Sequence, residues 1–533
     1  MYNNYTPLQQ RQLALQEYSN TQSTYLLVCA PARSTALKST LTDQLHRKFR
    51  LVDRLGGELT ASVDGVLLAA EDVELMSTAL MYFAKALQDG ADYAVCNAVF
   101  GFGGATALYQ SQPLQAQNRC AVVSRTLLER CRAAAHDPEN VPELLALAAQ
   151  LCTKPTLIPQ ALLHYERGIC AEDAFSAHGK RAFIMSHVLD MTGAPIVLVS
   201  AVPVLRSMGY EVLVLGPSDG GSLHLFLDAG ASVITRSSCR NVSDAWGMAL
   251  CADFVIANTV VMARAVRALS GTAVPVLWWL HDAFAGYPHI AHQIPTQLGE
   301  NVRVYSVGSH AANAMRAVRP EFEIRPLIYG LPDYAAENFV RTDLGYNRGR
   351  PLFATVGSFE RRKGHDIFCK AIRLLPPEVR EKASFLFVGQ AADKEMMDSV
   401  RALTADYPEN VYYCKRLTRD EIKSLMEQCT GLVCASRDDP MPTFVTEGLI
   451  FGKPSIVSEH TGTAGLISEG QNGFVYHNDD PQQLAVLLEH AIEHPEELAS
   501  MRTECRKMYE QYYSKEAFEQ MLRAAVEDLT TKK

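Results

Sequence analysis

Three acids and three cations are the first residues of this chain that could do chemistry. In "RDDPMPTFVTEGLIFGKPSIVS" (437–458), Asp438 and Asp439 stand in a Pro-rich turn, and Glu447 follows Asp439 with seven residues between them. A carboxylate that receives two sugar hydroxyls makes charge-assisted hydrogen bonds worth roughly 1.5–3 kcal/mol each, so a hydroxyl clamp is one meaning of this spacing. A surface turn followed by an acid early in a helix, which suits the helix dipole, is the other. In "VGSFERRKGHD" (356–366), Gly357 ends an apolar run, and Arg361, Arg362 and Lys363 precede Gly364. Cations at a helix start oppose its dipole unless an anion lies between them, and a phosphate resolves that conflict.

Two further places carry suitable residues. "SHVLDMTGAP" (186–195) puts Thr192, Gly193 and Ala194 before an amphipathic helix, small enough for backbone N–H groups to approach an anion. "LWWLHDAF" (277–284) ends a strand with His281 and Asp282, a pair that at a strand end is more often structural than functional. A loop of small residues, "EHTGTAGLI" (459–467), then offers Gly462 and Thr463 as a cradle for a diphosphate or a sugar. "GFGGAT" at Gly101 imitates a dinucleotide fingerprint but has Thr106 in place of the third glycine.

The elements that must hold these residues follow from the alternation of apolar runs. From 181 to about 343, runs such as "AFIMSHV", "EVLVLGP", "DFVIAN" and "VPVLWWLHD" alternate with helical stretches. From 351 the rhythm restarts with "LFATVGS", "SFLFVGQ", "NVYYCKRL", "GLVCASR" and "PSIVSEH". Strands apolar on both faces and separated by helices predict parallel sheets covered on both sides. In such sheets ligands lie beyond the carboxyl ends of the strands, where all the residues above fall. Residues 24–165 form a third α/β block, joined through the polar stretch "RGICAEDAFSAHGK". The expected domains are 1–168, 178–345 and 346–533, the last closing with helices from 481 to 529.

A chain of 533 residues suits about two to four domains. Its 48% apolar and 20% charged residues are those of a soluble globular protein, and a net charge of -9 argues against broad nucleic-acid binding. Thirteen cysteines without a C-x-x-C pair read as buried thiols of a reducing compartment. The longest apolar run, "APIVLVSAVPVL", is too short to span a bilayer, and the N-terminus has no apolar signal core. A cytoplasmic protein is expected, with peripheral contact at the inner membrane face left open.

Taken in order, "SHVLDMTGAP", "WWLHD", "GSFERRKGHD", "FVGQ", "DDPMPTFVTEGLIFGKPSIVS" and "ISEGQNGFVY" resemble a family-four glycosyltransferase over residues 181–515. The acid-x7-acid segment and the closing Asn472-Gly473 are the most specific parts. The resemblance implies an α/β, GT-B architecture: two Rossmann-like domains facing a cleft, here preceded by an extra N-terminal α/β domain. It implies a retaining, metal-independent hexosyltransferase that uses a UDP- or GDP-sugar as substrate and needs no cofactor. Carried over to this chain, Glu447 binds the nucleotide's ribose, and Asp439 lies near the donor sugar. Lys363, with Arg361 or Arg362, neutralises the diphosphate, and His281 faces the sugar. Thr192, Gly193, Gly357, Thr443, Gly462 and Thr463 complete the donor site, with Asp439, His281 and Lys363 as its catalytic members. Two positions depart from the pattern. Asp439 replaces the usual Glu, and Ser358 replaces the usual Arg, so the latter's role passes to Arg361 or Arg362.

The first block faintly resembles a family-two GT-A domain, shortened and lacking the metal-binding Asp-x-Asp, because Gly65 and Val66 follow Asp64. It would be inactive and would dock the acceptor or a partner enzyme. The leading expectation is sugar transfer to a glycan or lipid-linked acceptor in cell-surface polysaccharide assembly. The other is a non-catalytic GT-B accessory protein that binds a sugar nucleotide or a partner glycosyltransferase.

Overall fold

Short strands buried on both faces set the architecture, and the alternation of their side chains decides which helices cover them. The computed structural model describes residues 23–29, 35–41, 44, 46, 48–52, 54–55, 62–70, 73–75, 78–102, 106–110, 120–165, 179–218, 220–236 and 248–531. Two compact units, Met1–Val255 and Ile256–Lys533, divide the chain.

The first unit contains β1 (Leu26–Cys29), β2 (Phe49–Val52), β3 (Gly65–Ala69), β4 (Glu74–Leu75), β5 (Tyr93–Phe102), β6 (Thr106–Gln110), β7 (Cys120–Ser124) and β8 (Pro155–Tyr165). After them come β9 (Lys180–Met185), β10 (Tyr210–Gly216) and β11 (Ser232–Arg236). Their order is β9-β10-β11-β6-β5-β7-β3-β1-β2, with β8 beside β5. Alternate residues of β1 face opposite ways, as a pleated strand requires. Leu26 and Val28 pack with Leu80 and Phe83 of the helix Ala79–Gln88. Leu27 and Cys29 pack with Leu127 and Leu144 of the helices Arg125–Ala134 and Val141–Leu151. The strands β9, β10 and β11 run parallel, as their continuous apolar runs predict, while β6 lies antiparallel to β11. The block of residues 24–165 and the strands that follow it thus share one sheet. Residues 166–178, most of the expected linker, lie outside the described residues.

In the second unit, β13 (Val276–Leu280), β14 (Val302–Ser306) and β15 (Ile324–Pro326) run parallel, after β12 (Phe254–Asn258) at the division. Trp278 and Trp279 on β13 are fully buried, and each indole donates to a backbone carbonyl, Thr259 O at 2.8 Å and Leu327 O at 2.9 Å. These bonds fix the strand end that carries His281. A second sheet is built from β16 (Leu352–Val356), β17 (Ser384–Val388), β18 (Val411–Cys414), β19 (Gly431–Cys434), β20 (Ser455–Ser458) and β21 (Gly473–Tyr476). All six are parallel, in the order β18-β17-β16-β19-β20-β21. The chain moves outward in one direction from β16 and then in the other from β19. That reversal opens a crevice at the carboxyl ends of these two strands, where parallel sheets bind ligands. The final helix, Lys515–Thr530, returns to β13, where Phe518 stacks on Trp279 with ring centroids 5.7 Å apart. Among the described residues, no helix is long and apolar enough to cross a membrane.

Candidate functional site

The loop after β16 is held by one glycine. Gly364 has φ +66°, and a Cβ there would lie 1.8 Å from the Ala435 carbonyl oxygen after β19. Only glycine tolerates both the left-handed backbone and this approach. The helix His365–Leu374 starts directly after it, so its N-terminal N–H groups face the switch point.

The three cations before this helix have different surroundings. Lys363 Nζ donates to Asp439 Oδ2 at 2.6 Å, and Asp439 is only 3% exposed. Arg362 Nε donates to Glu360 Oε2 at 2.8 Å, and the Ser358 hydroxyl donates to the other oxygen of the same carboxylate. Burial pushes the Glu360 carboxyl up, but the bonds from Ser358 and Arg362 outweigh it and hold the group below the usual carboxylate range. Arg361 is exposed and forms no salt bridge among the described residues. Ser358, standing where the resemblance expects an arginine, therefore directs Glu360 and through it Arg362. A fourth cation, Arg437, is fully engaged: it grips Asp366 with two bonds of 2.8 Å and Asp479 with one of 2.7 Å.

Asp439 also ties two loops together through its backbone. Its N–H donates to His460 O at 3.1 Å, and its carbonyl accepts from Gly462 N–H at 2.9 Å. A Cβ on Gly462 would stand 1.7 Å from Pro440 O, so the small residue is required by contact rather than by flexibility. Thr463 is buried, its hydroxyl 3.3 Å from that of Thr461. Asn472 closes the loop before β21 by accepting the Ser468 N–H at 2.8 Å. Gly357 directly follows β16, and its N–H donates to Val388 O at 2.9 Å.

Glu447 lies on the helix Thr443–Ile450 and is 7% exposed. Arg419 Nη1 donates to its Oε1 at 2.8 Å, and the same guanidinium lies 4.0 Å from the ring centroid of Tyr334. Burial pushes the Glu447 carboxyl above its ordinary value, and Arg419 opposes that rise. Thr443 begins this helix, exposed, with its hydroxyl 3.3 Å from the buried Tyr329 hydroxyl. Asp439 and Glu447 both act on Tyr329 electrostatically, which places the two acids around one tyrosine.

Asp438, which in sequence fits a plain surface turn, is instead a half-buried junction. Its side chain is 14% exposed and lies 2.6 Å from His310 Nε2. It also accepts the N–H groups of Phe284 at 3.1 Å and Ala285 at 2.9 Å. Burial raises its carboxyl, but these three donors outweigh burial and leave it below the usual range. The rings of Phe284, His310 and His460 pack on one another, with centroid distances of 5.0 Å for Phe284–His310, 5.5 Å for His310–His460 and 6.5 Å for Phe284–His460. The turn after β19 is thereby fastened to the segments after β13 and β14.

His281 packs on Trp279 at 4.7 Å between ring centroids. Asp282 accepts the backbone N–H groups of Val260, at 2.6 Å, and of His281, and burial pushes its carboxyl up to about 6. Thr192 and Gly193 belong to the first unit, at the N-terminus of the helix Gly193–Ser207. There the Thr192 N–H donates to Asp190 Oδ1 at 3.0 Å, and its hydroxyl bonds to the same oxygen.

Two contacts were beyond sequence reasoning. Arg419 looks like an ordinary helix-start residue within the capping box of Thr418 and Glu421. Asp438 meets His310 across 128 residues.

Comparison with known proteins bears on the fold and the family. Residues 178–318 match the model of glycosyl-transferase family 4, and residues 337–508 match that of glycosyl transferases group 1. An uncharacterized glycosyltransferase of Methanocaldococcus jannaschii is 25% identical over 194 residues, 36% of this chain and 53% of that protein. Spore coat protein SA of Bacillus subtilis is 26% identical over 160 residues, 28% of this chain and 41% of its own. The chain thus spans about half the length of the curated relatives it matches. Among solved structures, Anabaena HepE in complex with UDP superposes with a TM-score of 0.52 at 18% identity, over 66% of this chain and all of that one. Sucrose-phosphate synthase of Thermosynechococcus elongatus does so with a TM-score of 0.53 at 16% identity, over the same shares. These likenesses show the GT-B fold. Over residues 178–318 and 337–508, then, the chain matches models of glycosyltransferase families, and the resemblance to family four holds there.

Proposed function

We propose that this protein moves a sugar from a UDP- or GDP-sugar to a glycan or lipid-linked acceptor with retention of anomeric configuration, in cell-surface polysaccharide assembly. The observation that carries the reading is the pairing at the switch point. Buried Asp439 and Glu447 lie after β19, and Lys363 reaches Asp439 from the loop after β16. In this reading Glu447 receives the ribose hydroxyls. The donor's diphosphate competes with Asp439 for the Lys363 ammonium, with Arg361 or Arg362 beside it and the N-terminus of His365–Leu374 beneath.

As the anomeric C–O bond breaks, negative charge grows on the leaving diphosphate, and fixed cations and helix N–H groups stabilise it more than the ground state. Cations in these positions do what a metal does elsewhere, so the transfer is proposed to need no metal. The acceptor hydroxyl attacks from the leaving-group face, and the departing phosphate takes its proton. His281 holds the donor sugar. Thr443, Gly462, Thr463 and Gly357 shape the donor's surroundings. The reading keeps the borders near 168–178 and 345, and it gives the N-terminal block the docking of acceptor or partner at the inner membrane face.

The test is turnover of a panel of UDP- and GDP-sugars against glycan and lipid-linked acceptors, with Glu447→Ala as control. Turnover abolished by that substitution supports the reading. A second reading, a non-catalytic accessory protein, is favoured by Ser358 in place of an arginine and by the engagement of Arg362 with Glu360. Nucleotide binding without sugar release across the whole panel would establish it instead.

A further inference from the structure

Glu447 presents a problem for any ligand that must hydrogen-bond to it. A carboxylate this buried loses solvation, and without a partner it takes up a proton or turns toward whatever donor is near. The groups facing it from neighbouring elements are few. Arg419 reaches it from the helix Arg419–Gln428, and Tyr334 and Tyr329 face it from the segment after β15. Asp439, before its own helix, shares Tyr329 with it. Arg419 is the only cation among these groups. One of its nitrogens holds Oε1 at 2.8 Å, whereas Oε2 receives no donor among the described residues. The guanidinium carbon itself lies over the Tyr334 ring, 4.0 Å from its centroid, although the Arg419 side chain is 51% exposed.

We propose that Arg419 is a positioning residue for donor binding, fixing the Glu447 carboxylate by one oxygen so that the other is presented to the ribose hydroxyls. The inference rests on the reading of Glu447 as the ribose-binding acid. In this arrangement Arg419 has two effects. It opposes the rise in proton affinity that burial imposes on Glu447, and its planar fork, locked on Tyr334, sets the carboxylate's rotation. A lysine would keep the charge and lose the fixed geometry.

The experiment measures UDP affinity by calorimetry from pH 5 to 9 for the full-length wild type, Arg419→Ala, Arg419→Lys and Glu447→Gln. In wild type, affinity falls on the acid side as Glu447 takes a proton. In Arg419→Ala that fall should move up by about one pH unit or more, giving about tenfold weaker binding near the wild-type midpoint and a smaller deficit at alkaline pH. Arg419→Lys should fall between the two, and Glu447→Gln should bind weakly with no acid limb. Half-exposed Arg419 is replaceable without loss of fold, and an unchanged thermal transition in Arg419→Lys checks this. Weaker binding in Arg419→Ala with the wild-type pH profile would mean that Arg419 touches the nucleotide directly, and would overturn the positioning role. Full affinity in Glu447→Gln would instead overturn the ribose reading itself, whatever Arg419 does.

Discussion

Asp438→Ala should release the turn after β19 from the segments after β13 and β14, and the size of the effect follows from the bonds that are lost. Three donors converge on the Asp438 carboxylate: His310 Nε2 at 2.6 Å, Phe284 N–H at 3.1 Å and Ala285 N–H at 2.9 Å. Hydrogen bonds to a charged group contribute about 1.5–3 kcal/mol each. His310 is only 4% exposed, so the truncation also leaves a buried ring nitrogen without its acceptor. Leaving such a buried polar group unsatisfied costs about 1–3 kcal/mol more. Hydrogen exchange at the Phe284 and Ala285 amides reads this opening directly, and about 3 kcal/mol corresponds to roughly hundredfold faster exchange. Asp438→Asn keeps an acceptor oxygen but no charge, and should fall between wild type and alanine. The pH dependence has a definite sign. The folded carboxyl titrates below its ordinary value, so its contribution is complete above the unfolded value of about 3.9 and is lost as pH falls through the lower folded one. The difference between wild type and Asp438→Asn should therefore stay constant through neutral pH and shrink only in strong acid. Unchanged protection of both amides in Asp438→Ala would refute the reasoning.

Other substitutions test the loops around the switch point. Gly364→Ala places a methyl group against Ala435 O in a left-handed backbone and should cost more than about 1 kcal/mol, lowering the unfolding midpoint of the second unit in calorimetry. Lys363→Met strands Asp439, whereas Lys363→Met with Asp439→Asn removes both charges. The double variant should therefore be more stable than Lys363→Met alone in urea unfolding, although both should lose UDP affinity. Turnover, once a donor is found, should survive excess EDTA. Its loss on chelation and recovery with a divalent ion would contradict a diphosphate site built from Lys363 and the neighbouring arginines.

The parallel sheets were legible because their strands are buried on both faces, so runs such as "SFLFV" and "GLVC" are continuously apolar and cannot be surface strands. The candidate site was chosen on the same ground, since ligands in such sheets collect at strand ends. Partner choice within the site was less so. Asp438 and Asp439 are adjacent and chemically identical, and sequence spacing singles out Asp439 as the acid to watch. The fold turns Asp439 to Lys363 and Asp438 to His310. Which neighbour takes which role depends on where the loops after β13, β14 and β16 arrive, and these contacts span 76 to 154 residues. The sheet of the first unit was obscured for a related reason. The antiparallel pairing of β6 with β11 joins segments more than a hundred residues apart, and no local pattern encodes such a neighbour. The same logic bears on Ser358. A missing arginine reads as a weakened phosphate site, yet its hydroxyl and Arg362 hold one carboxylate, Glu360, from two sides. Replacing Ser358 with arginine would therefore do more than add a charge. It would break the bond that positions Glu360 and free Arg362, so any gain in phosphate affinity would measure both changes together.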